Sequence, residues 1–211
     1  MNILLSSAYL PPIQYYTKLV QCGSGTAYVE ACDNYVKQTY RNRCVIVDAN
    51  GPLALTIPTE KTAEEKCLMR DIRISDHGNW RHRHWNALEA AYRHTPFFLY
   101  YEDDFRPFYE KKHEYLYDFN MELTQLVCAL IGIDTHMEPT TVYGGEQPLV
   151  DLRECIHPKQ SWHIDTEFSP AEYYQVFKEK HGFIPNMSIV DLLFNMGPES
   201  ILILHESNRR R

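Results

Sequence analysis

Several clusters of residues in this chain have the types and spacing to do chemistry. The first is cationic and runs from Tyr35 through Val36, Lys37, Gln38, Thr39, Tyr40, Arg41 and Asn42 to Arg43. If it is extended, Lys37, Thr39, Arg41 and Arg43 point one way, because strand side chains alternate. Such a row could hold a phosphate or carboxylate, arginine through its planar fork and threonine through its hydroxyl. The competing account is a solvated strand face. Arg43 shares its face with Val45 and Val47, which sets it where a buried face meets solvent.

The second cluster is Trp80-Arg81-His82-Arg83-His84-Trp85. On a helix, Trp80, His84, Ala87, Leu88 and Ala91 form one stripe, so His84 lies on the apolar side and His82 on the polar one. An imidazole there could act as general acid or base, or could be a core histidine satisfied by a hydrogen bond. Residues 82 and 84 of a helix project about 200 degrees apart, so the pair cannot chelate one metal ion.

Glu102-Asp103-Asp104 could bind a divalent cation or supply acid and base, although capping of a helix starting at Phe105 explains it more simply. Ser188-Ile189-Val190-Asp191 has capping-box spacing. The helix it opens is apolar nearly all round, leaving Ser188, Asp191 and Asn195 as a single polar stripe. A buried carboxylate needs a partner, and Pro185 to Ser200 holds no Lys or Arg. Asp191 is therefore expected to pair with a distant arginine, Arg43 in preference to Arg81. Cys155, with His157 and His163 nearby, is the best thiol-nucleophile candidate. No dinucleotide-binding, P-loop or G-x-S-x-G motif is present.

The elements that must position these groups are of mixed type. With 44% hydrophobic, 13% aromatic and 23% charged residues the chain has globular composition. A net charge of -7 disfavours binding to nucleic-acid backbones. No leader-like or membrane-spanning run is visible, and six dispersed cysteines read as reduced thiols, so a cytoplasmic protein is expected. Ile3 to Ser7 suits a strand, Pro12 can start a helix that stops at Gly23-Ser24-Gly25, and Thr26 to Ala31 is strand-like. Arg43 to Val47 and Pro52 to Ile57 flank an Asn-Gly loop, the strongest hairpin signal in the chain. Residues 59–67 read as an exposed excursion and Met69 to Ile74 as a short strand. Helices are predicted at Asn79 to His94, Phe105 to Lys112 and Glu114 to Ile133. Asp134 to Pro170 has no clear period and reads as irregular with one or two short strands; Tyr173 to Phe177 reads as a strand, Ser188 to Met196 as a helix and Arg209 to Arg211 as a frayed tail. The expectation is an α/β (mixed α+β) domain over 1–211, with a small, mainly antiparallel sheet around the hairpin at 43–57 packed on a helical layer at about 79–133.

Several of these segments together resemble the WbqC-like protein family. Tyr9-Leu10-Pro11 with Tyr15-Tyr16 and Lys18 is similar to that family's opening motif. Tyr35-x-Lys37-x-Thr39 with Asn42-Arg43 resembles its next block, and Leu55-Thr56-Ile57-Pro58 its hairpin strand. Trp80-Arg81-x-x-His84, with Tyr92 and Pro96-Phe97, resembles its central helix. Gly182-Phe183-x-Pro185 through Ser188, Asp191 to Asn195 and Gly197 resembles its closing motif. Leu5-Ser6 stands where the family often carries His-Gln. The resemblance implies a place among genes for bacterial O-antigen and other surface polysaccharides. It suggests a group transferase acting on an activated anionic substrate, a nucleotide sugar or an acyl or aminoacyl carrier; the alternative is a non-catalytic binding or assembly protein of the same pathway. The candidate set is His84 and Asp191 as catalytic residues, with Tyr9, Lys37, Thr39, Asn42, Arg43, Arg81 and Asn195 binding substrate. No metal ligand or cofactor is assigned.

Overall fold

The computed structural model describes residues 1–61, 66–146 and 149–208. Parts of the 59–67 excursion and the Arg209 to Arg211 tail lie outside these. The chain opens with a β-α-β unit: β1 (Ile3–Ser6), α1 (Ile13–Cys22) and β2 (Thr26–Glu30). β1 ends at Ser6, and α1 begins directly after Pro12, whose fixed φ suits a helix start. β1 and β2 are parallel, with Ile3 opposite Ala27 and Leu5 opposite Val29. Ile3, Leu4 and Leu5 are all buried, as expected of a strand covered on both faces.

A hairpin follows, β3 (Arg43–Asp48) and β4 (Gly51–Thr56), antiparallel with Arg43 opposite Thr56 and Asp48 opposite Gly51. Its expected position is borne out. Gly51 has φ 108, which only glycine adopts without strain, so the connection stays at Ala49-Asn50. Cys44, Ile46 and Leu55 face the core, so Arg43 and Val45 lie on the opposite face.

The expected helical layer is present as α2 (Trp80–Tyr92), α3 (Phe98–Glu110) and α4 (Leu116–Ile131). α3 begins at Phe98, not Phe105: Phe98, Tyr101, Phe105 and Tyr109 form a buried stripe at helical spacing. Glu102, Asp103 and Asp104 are therefore mid-helix residues rather than caps, and Glu102 pairs with Arg106 one turn on.

β5 (His136–Pro139) and β6 (Val150–Asp151) complete the main sheet in the order β5-β2-β1-β6, every neighbour parallel. The expectation of a mainly antiparallel sheet is thus corrected. Antiparallel pairing holds for the separate hairpin, whereas the principal sheet is assembled from strands distant in sequence. Residues 69–74 form a 3-10 turn flanked by isolated bridges rather than a strand, and Tyr173 to Phe177 is irregular.

The chain closes with α5 (Lys178–His181), α6 (Ile189–Met196) and α7 (Ser200–Glu206). α6 is buried nearly all round, and Phe194 meets Phe98, Phe105 and Tyr92 at 5.1, 5.2 and 5.4 Å between ring centroids. Burying such a side chain contributes about 1.5–3 kcal/mol. Gly197 ends this helix with φ 57, and an added Cβ would stand 2.5 Å from the Phe97 ring.

Candidate functional site

His84 projects from the buried face of α2. Its Nδ1 lies 3.0 Å from the Tyr9 hydroxyl, which lies 2.9 Å from that of Tyr109. The backbone of Thr56 in β4 lies beside the imidazole and favours its charged form. Nδ1 accepts from Tyr9, as a neutral ring can. Burial drives its pKa down to about 4, the Thr56 backbone opposes this, and the neighbouring Arg83 charge lowers it further. His84 is therefore neutral at physiological pH, with Nδ1 engaged by Tyr9.

Beside it, a recess of about 410 Å³ lies between β4 and α2, lined by Leu53 to Thr56, Trp80, Arg83, His84 and Ala87. Arg43 reaches its rim, where its Nε donates to Thr56 Oγ1 at 3.2 Å. The arginines here are unlike those elsewhere. Among the described residues every other arginine has a carboxylate within ion-pair distance, whereas Arg43 and Arg83 have none. Arg81, one position from Arg83's neighbour His82, pairs with Asp76 and stands 5.3 Å over the Trp80 ring.

The remaining sequence candidates do not gather here. Residues 35–42 are turns rather than a strand, with Gln38 left-handed at φ 61, so the expected cationic row does not form. Lys37 is exposed, the buried Thr39 donates to Val36 O at 2.8 Å, and Arg41 pairs with Asp33. Asn42 is buried, with Nδ2 donating to Ile57 O at 2.9 Å.

Asp191 is 1% exposed, as expected, but its arginine pairing is overturned. Oδ1 accepts from Tyr92 OH at 2.9 Å, and Oδ2 accepts from Tyr173 OH at 2.5 Å and Gln175 Nε2 at 2.7 Å. Arg43 cannot reach it because Arg43 occupies the outer face of β3. The Val47 N–H on that strand's edge is met instead by Tyr92 OH, at 3.1 Å. Burial raises the Asp191 carboxyl above the usual range despite the three donors. Asn195 binds within the same helix, donating to Asp191 O at 2.7 Å and accepting from Val176 N at 3.2 Å. The Ser188 hydroxyl does not cap; it donates to Leu10 O at 2.8 Å.

A family model for the WbqC-like protein family matches residues 6–156 and 156–203, most of the chain. The chain belongs to the WbqC-like family. The uncharacterized protein Rv1507c of Mycobacterium tuberculosis (strain ATCC 25618 / H37Rv) is 26% identical over 220 residues, covering 93% of this chain and 94% of that protein. No solved structure matches. Among the described residues no helix is long and apolar enough to cross a membrane.

The matched spans of this WbqC-like chain include a second feature that sequence reasoning missed. Because the main sheet is parallel, Ser6, Glu30, Pro139 and Asp151 end at one edge. β1 leads through α1 to β2 on one side and has β6 on the other, a switch point of the kind where open α/β sheets bind ligands. The crevice there is lined by Ser6, Ser7, Thr39, Arg41, Arg153 and His157 among others. It encloses about 20 Å³, room for about one water. Its arginines are already neutralised: Arg153 by Glu30 at 2.9 Å and Asp151 at 2.7 Å, and Arg41 by Asp33. The first N–H groups of α1 are taken by Met187 O, Asn186 Oδ1 and Pro12 O, so that helix start holds no phosphate. Ser6 Oγ, Arg41 Nε and Asn120 Oδ1 remain buried without a protein partner, which suits an ordered water.

The Cys155 thiol fares no better as a nucleophile. Burial and the nearby Asp165 charge push it up to about 11, and His157 Nδ1 instead accepts from Lys159 N.

Proposed function

We propose that this WbqC-like protein binds an activated, anionic substrate in the recess between β4 and α2 and acts as a group transferase in the synthesis of bacterial surface-polysaccharide precursors. One observation carries the reading. In a chain of net charge -7, the described arginines that lack a carboxylate partner flank the same recess. A guanidinium left unpaired beside a ligand-sized hollow is free to take a phosphate or carboxylate in its fork. Arg43 and Arg83 bind the anion in this reading, while Tyr9 and Tyr109 form a hydroxyl chain through which His84 can exchange a proton. The family resemblance supplies the pathway and the choice between a nucleotide sugar and an acyl or aminoacyl carrier as donor.

A second reading has its own support. With Nδ1 of His84 engaged by Tyr9 and Leu5-Ser6 at the place of the family's frequent His-Gln, the same recess could serve a non-catalytic binding protein of that pathway. Thermal-shift titration with nucleotide sugars and acyl carriers tests the anion site, since a ligand at 100 times its Kd stabilises the folded state by about 2.7 kcal/mol. The shift should vanish in the double variant Arg43→Gln/Arg83→Gln. An undiminished shift there would remove the site. Turnover of a bound donor separates transferase from binding protein.

A further inference from the structure

The recess has a second recognition element, the backbone of β4. Asn42 and Ile57 form a hydrogen-bonded pair, Ile57 N donating to Asn42 O at 2.8 Å, so pairing alternates from there along the hairpin. In that alternation Thr56, Ala54 and Pro52 fall at non-hydrogen-bonded positions, and their peptide groups point away from β3. The partner strand obeys the same parity: outward groups of Val45 and Val47 are met by Ser188 N and Tyr92 OH. On the β4 side Leu53 to Thr56 line the recess together with Arg83, His84 and Ala87, so this edge of β4 faces α2. β4 has no other strand neighbour among the described residues. The Ala54 N–H and C=O and the Thr56 N–H are thus left on the recess. Pro52 has no N–H to extend the row.

Building on the anion site proposed above, we infer that the recess selects a phosphate ester that also carries a secondary amide. The amide pairs with the free edge of β4 as a short piece of added strand would, while Arg43 and Arg83 hold the phosphate. Ala54 and Thr56 are about 7 Å apart along the strand, and the edge ends at Pro52, so one or two amides fit and a long peptide does not. Leu53, Leu55 and Ala87 give the apolar wall that an acyl methyl or a short aliphatic chain needs. Two sources share this chemistry, the N-acylamino group of a nucleotide sugar and the amides of a phosphopantetheine arm.

Calorimetric titration of the full chain tests it. The probes are UDP-N-acetylglucosamine against UDP-glucose, and coenzyme A against adenosine 3′,5′-bisphosphate. One pair should show a preference for the amide-bearing member on the order of tenfold, the scale of a hydrogen bond that the amide-free ligand cannot make. Which pair does so names the source. Ala54→Pro removes an outward N–H that takes no part in the ladder, at a strand edge where proline is tolerated. It should bring the preference close to one and leave the amide-free phosphate bound as before. Equal affinity within both pairs overturns the amide inference while the anion site stands. Failure of all four probes overturns both. Should Ala54→Pro not fold, the ligand pairs decide the matter on the wild-type chain.

Discussion

Asp191→Asn distinguishes a carboxylate held by neutral hydroxyls from one held in an ion pair. The asparagine carbonyl can take the place of Oδ2 and keep the bonds from Tyr173 and Gln175. Its NH2 then faces Tyr92 OH, whose oxygen already accepts from Val47 N. One hydroxyl proton is left without an acceptor in a buried place, which costs about 1–3 kcal/mol, against about 3–5 kcal/mol when one partner of a buried ion pair is removed. The pH dependence is sharper still. Because burial raises the folded-state pKa, the native protein binds more protons than the unfolded chain between about pH 4 and that raised value. The stability Asp191 contributes is full below about pH 4 and declines as pH rises through the folded pKa. The asparagine variant lacks this decline, so the wild-type advantage should shrink as pH rises, by about 1.4 kcal/mol for each unit of elevation. Urea unfolding of both proteins between pH 4 and 8, roughly the span from the unfolded carboxyl upward, measures it. An advantage that grows with pH would be the signature of a lowered pKa and would refute the hydroxyl cage.

His84 gives the opposite trend: with the ring lowered from 6.5 to about 4, its stabilisation is complete above pH 6.5 and is lost as pH falls towards 4, about 3 kcal/mol in all. His84→Asn should flatten that part of a urea-midpoint profile, and an unchanged slope would count against a buried neutral imidazole. Arg43→Lys keeps the charge and loses the fork, so anion affinity should fall while stability stays within about 0.5 kcal/mol; equal affinity would exclude bidentate binding. Alkylation of denatured protein without prior reduction should modify all six cysteines, and any thiol released only by reductant would contradict the reduced state expected from their spacing.

Local signals were readable where the structure is local. The hairpin follows from an Asn-Gly step between apolar runs, and α2 and α4 follow from stripes of 3.6 period. The main sheet is not local. A parallel ladder joins strands that cannot be neighbours in sequence, and two of its members are short and polar: β5 carries His136 and Glu138, and β6 has only Val150 and Asp151. Both fall in the stretch that shows no period. The start of α3 is masked in the sequence because three consecutive acids before Phe105 look like a helix start, although Phe98 and Tyr101 already belong to its buried stripe.

The site was legible in the same uneven way. That His84 is buried could be read from Trp80, Ala87 and Leu88, but what it bonds to could not, because Tyr9 and Thr56 reach it through tertiary contacts. Arg83 carries a signal in the sequence: it stands three residues after Trp80 and four before Ala87, on the edge of the apolar stripe. The partners of Asp191 are not legible because a buried carboxylate does not require a full counter-charge: the hydroxyls of Tyr92 and Tyr173, distant in sequence or in irregular chain, reach it instead. The crevice at the carboxyl edge could not be foreseen without the parallel topology that creates it.

Recess and crevice are set by one short run of chain. Thr39 and Arg41 line the crevice, Asn42 ties the run to Ile57, and Arg43 turns outward to the recess. Tyr9 bridges the same span from the other side, its N–H bound to Tyr40 O at 2.8 Å and its hydroxyl to His84. The ion pair of Arg41 with Asp33 and the bonds of Asn42 and Tyr9 therefore fix the backbone from which Arg43 projects, and Arg41 does so with its own charge already paired. The division of labour is electrostatic. The arginines that line the crevice are paired, and the two at the recess are not.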